Sequence, residues 1–425
     1  MAKLALLGGR PVFRKDHKWP RWPQASAADE RRVLGVLRGD TWGIGSPVTE
    51  RLARRFARSV GARYALPVST GTAALELAVK ALGIGPGDEV IIPSYTFVAT
   101  ATCVLELGAT PVFSDIDPRT LNMGPREAAA VITPRTKAII PVHFAGNPCD
   151  MAGLMKLARE QGIEVIEDAA HAHGMTYRGK SAGTIGRAGA FSFQSSKNMT
   201  AGEGGMLVTD DEELYERAGS YHSFGRLPGR PWYEHHTMSW NERITAVQSA
   251  MLLGQLQRLE SQTMRRLESG RLLNEALSRL SGQHPQADGD TRKGTRRAWH
   301  IYIWRYDAEA VGVDRATFIE ALCAEGVRAF GGYPAPLQEN AMFQENRFWH
   351  SQRFGGKPRR KGEPDYRGVD TPVAKALCSQ AVWLTQVDLL SPRRDVQRIA
   401  DAVAKVIDGA DELRARSARR RRKRT

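Results

Sequence analysis

The sequence predicts an α/β protein with a mostly parallel sheet, and three observations support that class. Between about residues 64 and 209, short apolar or β-branched runs alternate with amphipathic segments of helix length, which is typical of layered α/β domains. After residue 241 the alternation gives way to one long helical pattern, which favours a bridge to a second domain. The 425 residues, 42% of them hydrophobic, can bury one large and one small core.

Each element is predicted from a local pattern. The strand-like runs of the first domain are Ala65–Ser69, Glu89–Pro93, Thr110–Ile116, Ala138–Phe144, Glu164–Asp168, Ala190–Gln194 and Met206–Thr209. Helices are expected at Thr72–Leu82 and Asp150–Gln161, because each segment is amphipathic and is followed by a glycine. The long helical pattern spans Ile244 to Leu280, with leucines at helical spacing. The later elements are strand Ile301–Tyr306, helix Arg315–Glu325, strand Val382–Thr385 and helix Arg393–Ile407.

These elements predict three parts of the chain. A large domain over residues 1–255 is expected to hold a mostly parallel, seven-stranded sheet, since seven strand-like runs occur there. A smaller C-terminal α+β domain is expected over residues 256–410. Residues 411–425 are expected to form a basic, disordered tail, because low complexity is confined to the last dozen residues.

The formal net charge of +15 comes mostly from two segments of the chain. Residues 414–424 carry eight Lys or Arg, residues 351–362 carry five, and neither stretch contains an acid. The rest of the chain is close to neutral, so the fold itself predicts no basic groove for nucleic acid. The Arg-rich end is expected to be solvated, with nonspecific contact to a polyanion as the alternative.

The sequence favours a cytoplasmic protein that does not cross a membrane. Its most apolar region, residues 90–113, is interrupted by Pro93, Ser94 and Glu106, and the apolar segment within the first eleven residues is too short for a signal peptide. The four cysteines are scattered and include no C-x-x-C pair, so they fit neither a disulfide framework nor a zinc site.

Two local features could bind a charged ligand. Ser69-Thr-Gly-Thr72 lies between a strand and a helix N-terminus, where backbone N–H groups can bind an anion, although an ordinary N-cap turn would look the same. Asp168 ends an apolar strand, where a carboxylate needs a cationic partner such as a protonated pyridinium nitrogen. A strand-end aspartate that caps the next turn is the alternative. His171 and His173 have no third ligand at helpful spacing, so no metal site is predicted.

Lys197 is the candidate for covalent chemistry. It lies in a small polar loop between two apolar β-like runs, shortly before Gly202, Gly204 and Gly205. A lysine becomes a nucleophile when its pKa is lowered and its position fixed, and its commonest covalent role is a Schiff base with an aldehyde cofactor. Any one lysine is more often a surface charge. Together, however, an anion cradle, an acid for a ring nitrogen and a lysine for an aldehyde are what pyridoxal 5′-phosphate (PLP) requires of its protein.

Several motifs together resemble the DegT/DnrJ/EryC1/StrS aminotransferase family over about residues 5–410. They are Ser69–Leu75, Pro93–Phe97, Asp115–Asp117, Pro141–His143, Glu167–Ala170 and Phe191–Gly205. The resemblance implies a PLP-dependent transferase of fold type I, a homodimer with shared active sites, and amination of keto-sugars or keto-cyclitols in amino-sugar and antibiotic pathways. The segment Gln194–Gly205 looks most like the branch that uses L-glutamine and keto-cyclitols, including scyllo-inosose, and it is similar to aminohydroxybenzoate synthases.

The resemblance also implies roles for single residues. Lys197 would be the Schiff-base lysine and Asp168 the pyridinium partner. Phe97 would stack on the cofactor ring, Ala170 would pack on its other face, and His171 would lie near the cofactor oxygens. The implied phosphate contacts are Gly71, Thr72, Ser192 and, from the dimer partner, Asn241. Tyr333 is the candidate contact to the substrate.

Two departures from the family leave other functions open. Gly332 stands before Tyr333 where the family commonly has histidine, and the basic segment Asn346–Gly368 has no clear counterpart. A nucleotide keto-sugar aminotransferase is one alternative. Another is a PLP-dependent sugar dehydratase, although such relatives have histidine in place of Lys197. A third is a PLP-binding regulator that binds nucleic acid through the Arg-rich end.

Overall fold

The computed structural model describes residues 3–347 and 364–422 of the chain. Within these ranges the strands are β1 (Tyr64–Val68), β2 (Glu89–Pro93), β3 (Thr110–Ser114), β4 (Thr136–Ile139), β5 (Glu164–Asp168), β6 (Thr176–Tyr177), β7 (Lys180–Ser181), β8 (Ala188–Ser192), β9 (Gly205–Thr209), β10 (Gln283–Pro285), β11 (Ile301–Tyr306) and β12 (Ala381–Thr385). Seven of them form one sheet in the order β1-β9-β8-β5-β4-β2-β3. Neighbours in this sheet are parallel, except that β9 runs antiparallel to β1 and β8. The predicted α/β class with a mostly parallel sheet is therefore confirmed.

Helices cover the sheet and connect its strands. They are α1 (Ala27–Leu37), α2 (Pro47–Val60), α3 (Gly71–Ala81), α4 (Ala99–Leu105), α5 (Pro125–Ala129), α6 (Met151–Gln161), α7 (Glu212–Tyr221), α8 (Ala246–Leu277), α9 (Ala308–Val311), α10 (Arg315–Ala324), α11 (Ala341–Gln344), α12 (Pro372–Gln380), α13 (Arg393–Asp408) and α14 (Ala410–Arg422). Strands β2, β8 and β9 are buried along their whole length. Burial on both faces explains why these strands read as continuous apolar runs.

Strand β4 ends earlier than the sequence predicts. The apolar run continues to Phe144, but the strand stops at Ile139. Pro141 follows two residues later, and it has no N–H to donate to a neighbouring strand. Beyond it, Val142 forms only an isolated bridge with Asp168.

A smaller antiparallel sheet of β10, β11 and β12 forms the centre of the C-terminal part. Its core includes Trp304, Phe318 and Val403. Leu4 and Phe13 of the N-terminal segment belong to the same core, so the two ends of the chain pack together.

Helix α8 connects the two parts. Leu252 and Leu253 near its start pack with the large sheet, whereas Leu273 and Leu277 near its end pack with the small one. The predicted boundary between residues 255 and 256 falls inside this continuous helix, and that division stays a prediction.

The predicted tail differs from expectation. Instead of disorder from residue 411, the structure has helix α14, and Leu413 is fully buried in the C-terminal core. Arg414 donates from Nη1 to the carbonyl oxygen of Val311 at 2.9 Å, and Arg416 pairs with Glu320 at 3.0 Å. The charge pattern predicts solvation, but the burial of Leu413 and the contacts of Arg414 and Arg416 dock the helix. Residues 423–425, and most of the basic segment Asn346–Gly368, lie outside the described residues.

Across the described ranges, none of the helices combines the length and the apolar character that crossing a membrane requires.

Candidate active site

A cavity of about 530 Å³ opens where several strands of the large sheet end. Carboxyl ends of parallel strands are the usual place for ligands in open α/β sheets. Nine of the ten predicted site residues line it: Gly71, Thr72, Phe97, Asp168, Ala170, His171, Ser192, Lys197 and Tyr333. Asn241 does not line this cavity; it is exposed and forms an isolated bridge with Ser223.

Lys197 lies in the loop between β8 and β9. The loop closes on itself, because the Phe193 N–H donates to the Gly204 carbonyl oxygen at 2.8 Å and the Ala201 N–H donates to the Phe193 carbonyl oxygen at 3.1 Å. Burial lowers the pKa of Lys197 to about 8, while the Asp168 carboxylate opposes that shift. The amine can therefore exist in both protonation states near neutral pH, as a nucleophile or a proton carrier must.

Asp168 ends the central strand β5 and is only 5% exposed. Its carboxylate accepts a hydrogen bond from the Thr100 hydroxyl at 2.9 Å and from the Ala170 N–H at 3.1 Å. Burial raises the pKa of Asp168, against those two hydrogen bonds and the charge of Lys197, which lower it. The carboxylate is thus held in place by neutral donors, and it retains room for a cationic partner.

The N-terminus of α3 supplies an anion cradle. Thr70 caps the helix, and its side-chain oxygen accepts a hydrogen bond from the Ala73 N–H at 3.0 Å. The first N–H groups of a helix have no partner within the helix and carry partial positive charge. A Cβ on Gly71 would lie 2.6 Å from Ser192 Cβ, so only glycine lets this helix end approach Ser192 so closely.

Two neutral histidines form the floor of the site. His171 and His300 lie with their ring centroids 4.2 Å apart, and both line the cavity. Burial, with the nearby charge of Lys197, lowers the pKa of His171 well below its usual value. His171 Nδ1 accepts from the Ala145 N–H at 3.3 Å, which leaves the proton on Nε2. Burial also lowers the pKa of His300.

A wall of aromatic side chains forms another part of the lining. Phe330, Tyr333 and Trp383 line the cavity, and the Trp383 ring lies 5.2 Å from Tyr333 and 5.5 Å from Phe330 between centroids. Phe97 also lines the cavity and is 59% exposed. An exposed apolar ring in a cavity lining is suited to stacking.

A model of the DegT/DnrJ/EryC1/StrS aminotransferase family matches residues 23–404. The chain belongs to this family. It is 39% identical over 422 residues to a Streptoalloteichus tenebrarius protein named as an L-glutamine:3-amino-2,3-dideoxy-scyllo-inosose aminotransferase, a match that covers 97% of this chain and 100% of that one. The same organism has an L-glutamine:2-deoxy-scyllo-inosose aminotransferase that is 35% identical over 429 residues, with 97% and 99% covered. The crystal structure of 3-amino-5-hydroxybenzoic acid synthase superposes with a TM-score of 0.81 at 34% identity and covers 92% of this chain and 99% of that one.

Members of the DegT/DnrJ/EryC1/StrS family are PLP-dependent aminotransferases, and this protein is one of them. The side chains present fit that cofactor. Asp168 is a buried carboxylate, which could pair with a cationic ring nitrogen, and the α3 N-terminus lies close to Ser192, where its free N–H groups could bind a phosphate. Lys197 supplies the buried amine.

Sequence reasoning missed several residues around this site. Thr100 binds Asp168 from 68 positions away, and no local pattern signals that contact. His300, Phe330 and Trp383 come from the C-terminal part, and they reach the cavity only because the two parts of the chain pack together. The period-two alternation of β12 could have shown that Trp383 and Thr385 share a face, but not that the face meets the cavity.

Proposed function

We propose that this aminotransferase moves the amino group of L-glutamine to a keto-cyclitol or keto-sugar, with Lys197 and Asp168 as its catalytic residues. The observation that carries the proposal is the convergence of the Lys197 amine, the Asp168 carboxylate and the α3 N-terminus on one cavity. The names of the two Streptoalloteichus relatives support the donor and the acceptor class.

Asp168 would hold a proton on the cofactor ring nitrogen. When bound, PLP supplies an electron sink for the carbon atom that loses its proton during amino transfer. Thr100 and the Ala170 N–H fix the carboxylate that would pair with the ring nitrogen. A charge-assisted hydrogen bond between that carboxylate and the ring is stronger than one between neutral groups.

Lys197 would bind the cofactor aldehyde and then move the proton. Its pKa of about 8, lowered by burial, lets the freed amine take a proton from one carbon and return it to another near neutral pH.

The remaining predicted residues would bind and orient the cofactor. The N–H groups of Gly71 and Thr72 and the Ser192 hydroxyl would hold the phosphate, while Phe97 and Ala170 would contact the ring. His171, with its proton on Nε2, would donate a hydrogen bond to a cofactor oxygen.

The cavity lining favours an acceptor without phosphate groups. Of the lining residues in the described part of the chain, Lys197 alone is a Lys or Arg, and Phe330, Tyr333 and Trp383 form a neutral wall. Recognition of a diphosphate usually needs Arg or Lys clamps. A ring with hydroxyl groups and apolar C–H faces fits an aromatic wall, so we favour a keto-cyclitol over a nucleotide keto-sugar, with Tyr333 as a substrate contact.

A homodimer is part of the proposal. Asn241 lies outside the cavity of its own protomer and is exposed, as a residue that reaches the phosphate in a partner's site would be. A cytoplasmic location is also proposed, since all four cysteines are free thiols.

The test is an amino-transfer assay with L-glutamine against a panel of keto-cyclitols and nucleotide keto-sugars. Lys197→Ala is expected to reduce turnover to background, and Asp168→Asn to reduce it roughly 100-fold or more. The control is Lys156→Ala, because Lys156 is 73% exposed and lies on α6. Turnover of Lys197→Ala at the wild-type rate would show that the catalytic assignment is wrong. Preference for nucleotide keto-sugars would overturn the acceptor class alone.

A further inference from the structure

Helix α8 carries a buried guanidinium that the proposed chemistry does not use. The Arg266 side chain is among the largest that are fully buried, and burial lowers the pKa of Arg266 to about 9. Within the part of the chain that the structure describes, no carboxylate forms an ion pair with it. Burying a cation without an anionic partner is costly, so its neutral contacts indicate what it does.

The first contact is to Gln386, the residue that follows β12. Arg266 Nε and Nη2 both donate to Gln386 Oε1, at 3.0 and 2.5 Å. Two donors on one oxygen determine which end of the amide faces the guanidinium. The amide nitrogen must therefore point away from Arg266, and it donates to the Ser196 carbonyl oxygen at 3.5 Å.

The second contact is to Trp22 in the N-terminal segment. The Arg266 guanidinium lies over the Trp22 ring, with Cζ 5.4 Å from the ring centroid, which is within the range of a cation–π interaction. Trp22 Nε1 donates to the Ser195 carbonyl oxygen at 2.9 Å. One buried cation therefore supports two donors, and these hold the carbonyl groups of the two residues before Lys197.

These contacts fix the peptide plane that precedes Lys197. A peptide group is planar, so hydrogen bonds at both of its ends fix its orientation. The Ser196 carbonyl oxygen accepts from Gln386, and the Lys197 N–H at the other end donates to the Gln194 carbonyl oxygen at 2.9 Å. The plane then sets the direction in which the Lys197 side chain leaves the backbone.

We propose that Arg266 is a positioning residue for Lys197, acting through Gln386 and Trp22. The inference rests on the proposed role of Lys197. It explains why a guanidinium, rather than an apolar side chain, lies where the N-terminal segment, α8 and the C-terminal part meet the loop between β8 and β9. Because Gln386 belongs to the C-terminal part, the position of that part also affects the position of the Lys197 amine.

The variant Gln386→Glu tests the positioning of Lys197 without a loss of protein stability. A carboxylate at this position keeps the acceptors for Arg266 and makes the pairing ionic, so the free energy of unfolding in urea should be no lower than in the wild type. The variant loses the N–H that donates to Ser196. Arg266→Lys is the second probe, because lysine keeps the charge but loses the two-donor fork. Its control is Arg265→Lys, since Arg265 is the exposed neighbour on the same helix.

Two measurements test the position of the Lys197 amine, one in the apoenzyme and one in the holoenzyme. In the apoenzyme, the pH dependence of acylation at Lys197, measured by peptide mass spectrometry, should have a midpoint near 8 in the wild type. The midpoint should rise in Arg266→Lys, because a misplaced amine regains contact with water. It is not read in Gln386→Glu, since the new carboxylate would raise the pKa of Lys197 by its charge alone. The ionisable groups around Lys197, namely Asp168, His171, His173 and His300, are retained in every variant.

In the holoenzyme, kcat should fall roughly 10- to 100-fold in both variants, as expected when a catalytic group is displaced. The Arg265→Lys control should keep the wild-type kcat. Wild-type kcat in a stably folded Gln386→Glu, together with an unshifted midpoint in Arg266→Lys, would overturn the inference. If Lys197→Ala is inactive at the same time, only the positioning role fails; if Lys197→Ala is active, the proposed function itself is wrong.

Discussion

At the scale of single residues, Gly332 and Trp383 shape the acceptor side of the cavity together. Gly332 has φ +70°, and a Cβ built on it would lie 2.4 Å from Trp383 Cε2. The indole therefore occupies the space where a side chain at position 332 would begin. Where the family commonly has histidine, this chain has Gly332, and the Trp383 ring from β12, 51 residues further along the chain, fills the space.

Gly332→Ala should lower stability and weaken acceptor binding. The variant combines an unfavourable positive φ with overpacking against Trp383, and the second effect alone typically costs about 1–3 kcal/mol. Gly45→Ala is the matched control, because Gly45 has φ +75° and nothing lies within 4 Å of a Cβ there. Urea unfolding and the KM for the ketone are the measurements. Equal destabilisation in both variants, with unchanged KM, would contradict the role of the Gly332–Trp383 contact.

At the scale of elements, helix α14 packs on the C-terminal part although its sequence is strongly basic. Leu413 is buried in the core of the C-terminal part, Arg414 binds Val311 at the end of α9, and Arg416 binds Glu320 within α10. The arginines that suggest a solvated tail in the sequence thus also contribute to docking the helix.

Leu413→Ala should destabilise the protein by about 3 kcal/mol, as expected for a leucine that leaves a cavity in a packed core. Glu412→Ala, an exposed position on the same helix, should change the free energy of unfolding by less than about 0.5 kcal/mol. Urea unfolding of the two variants is the measurement. If both behave alike, α14 does not contribute to the core.

At the scale of the whole molecule, ionisable groups with shifted pKa values make stability depend on pH in opposing ways. Burial lowers the pKa of His173 to about 3, so the unfolded chain binds a proton below pH 6.5 that the folded chain does not. Stability from this residue therefore falls as pH decreases from 6.5. Glu76 acts in the other direction: burial and neighbouring carboxylates raise its pKa to about 7, so the folded state gains stability as pH falls from 7 towards 4.5.

His173→Phe should isolate one of these contributions. The ring packs against Phe191 and Phe193, at 5.3 and 5.7 Å between centroids, so phenylalanine suits the position. Because His173 in the wild type stays neutral at pH 5 in the folded state, the variant should gain about 2 kcal/mol relative to the wild type between pH 8 and pH 5. The difference at pH 8 removes the effect of packing. A gap between the two proteins that does not change with pH would show that His173 takes up its proton without unfolding.

The sequence by itself determined the fold class, most strand and helix positions, and nine residues of the cavity. The elements, the turn at the α3 N-terminus, Asp168 and Lys197 follow from local signals: β-branched runs, helix-ending glycines, a polar turn at a helix N-terminus, an acid at a strand end and a lysine in a polar loop. Strands Glu89–Pro93, Glu164–Asp168 and Ile301–Tyr306 match their predicted bounds for that reason. Phe97, Ala170, His171, Ser192 and Tyr333 were expected only from the resemblance to the family.

Only the tertiary structure decided which distant residues complete the site. The Thr100 hydroxyl on Asp168, the Trp383 ring over Gly332, and the link from Arg266 through Gln386 to Ser196 each join segments that are far apart along the chain. Contacts of this kind arise when the packed cores bring α8 and β12 against the loop that carries Lys197. A local sequence pattern has no information about such packing, because it depends on the shapes of all the elements at once.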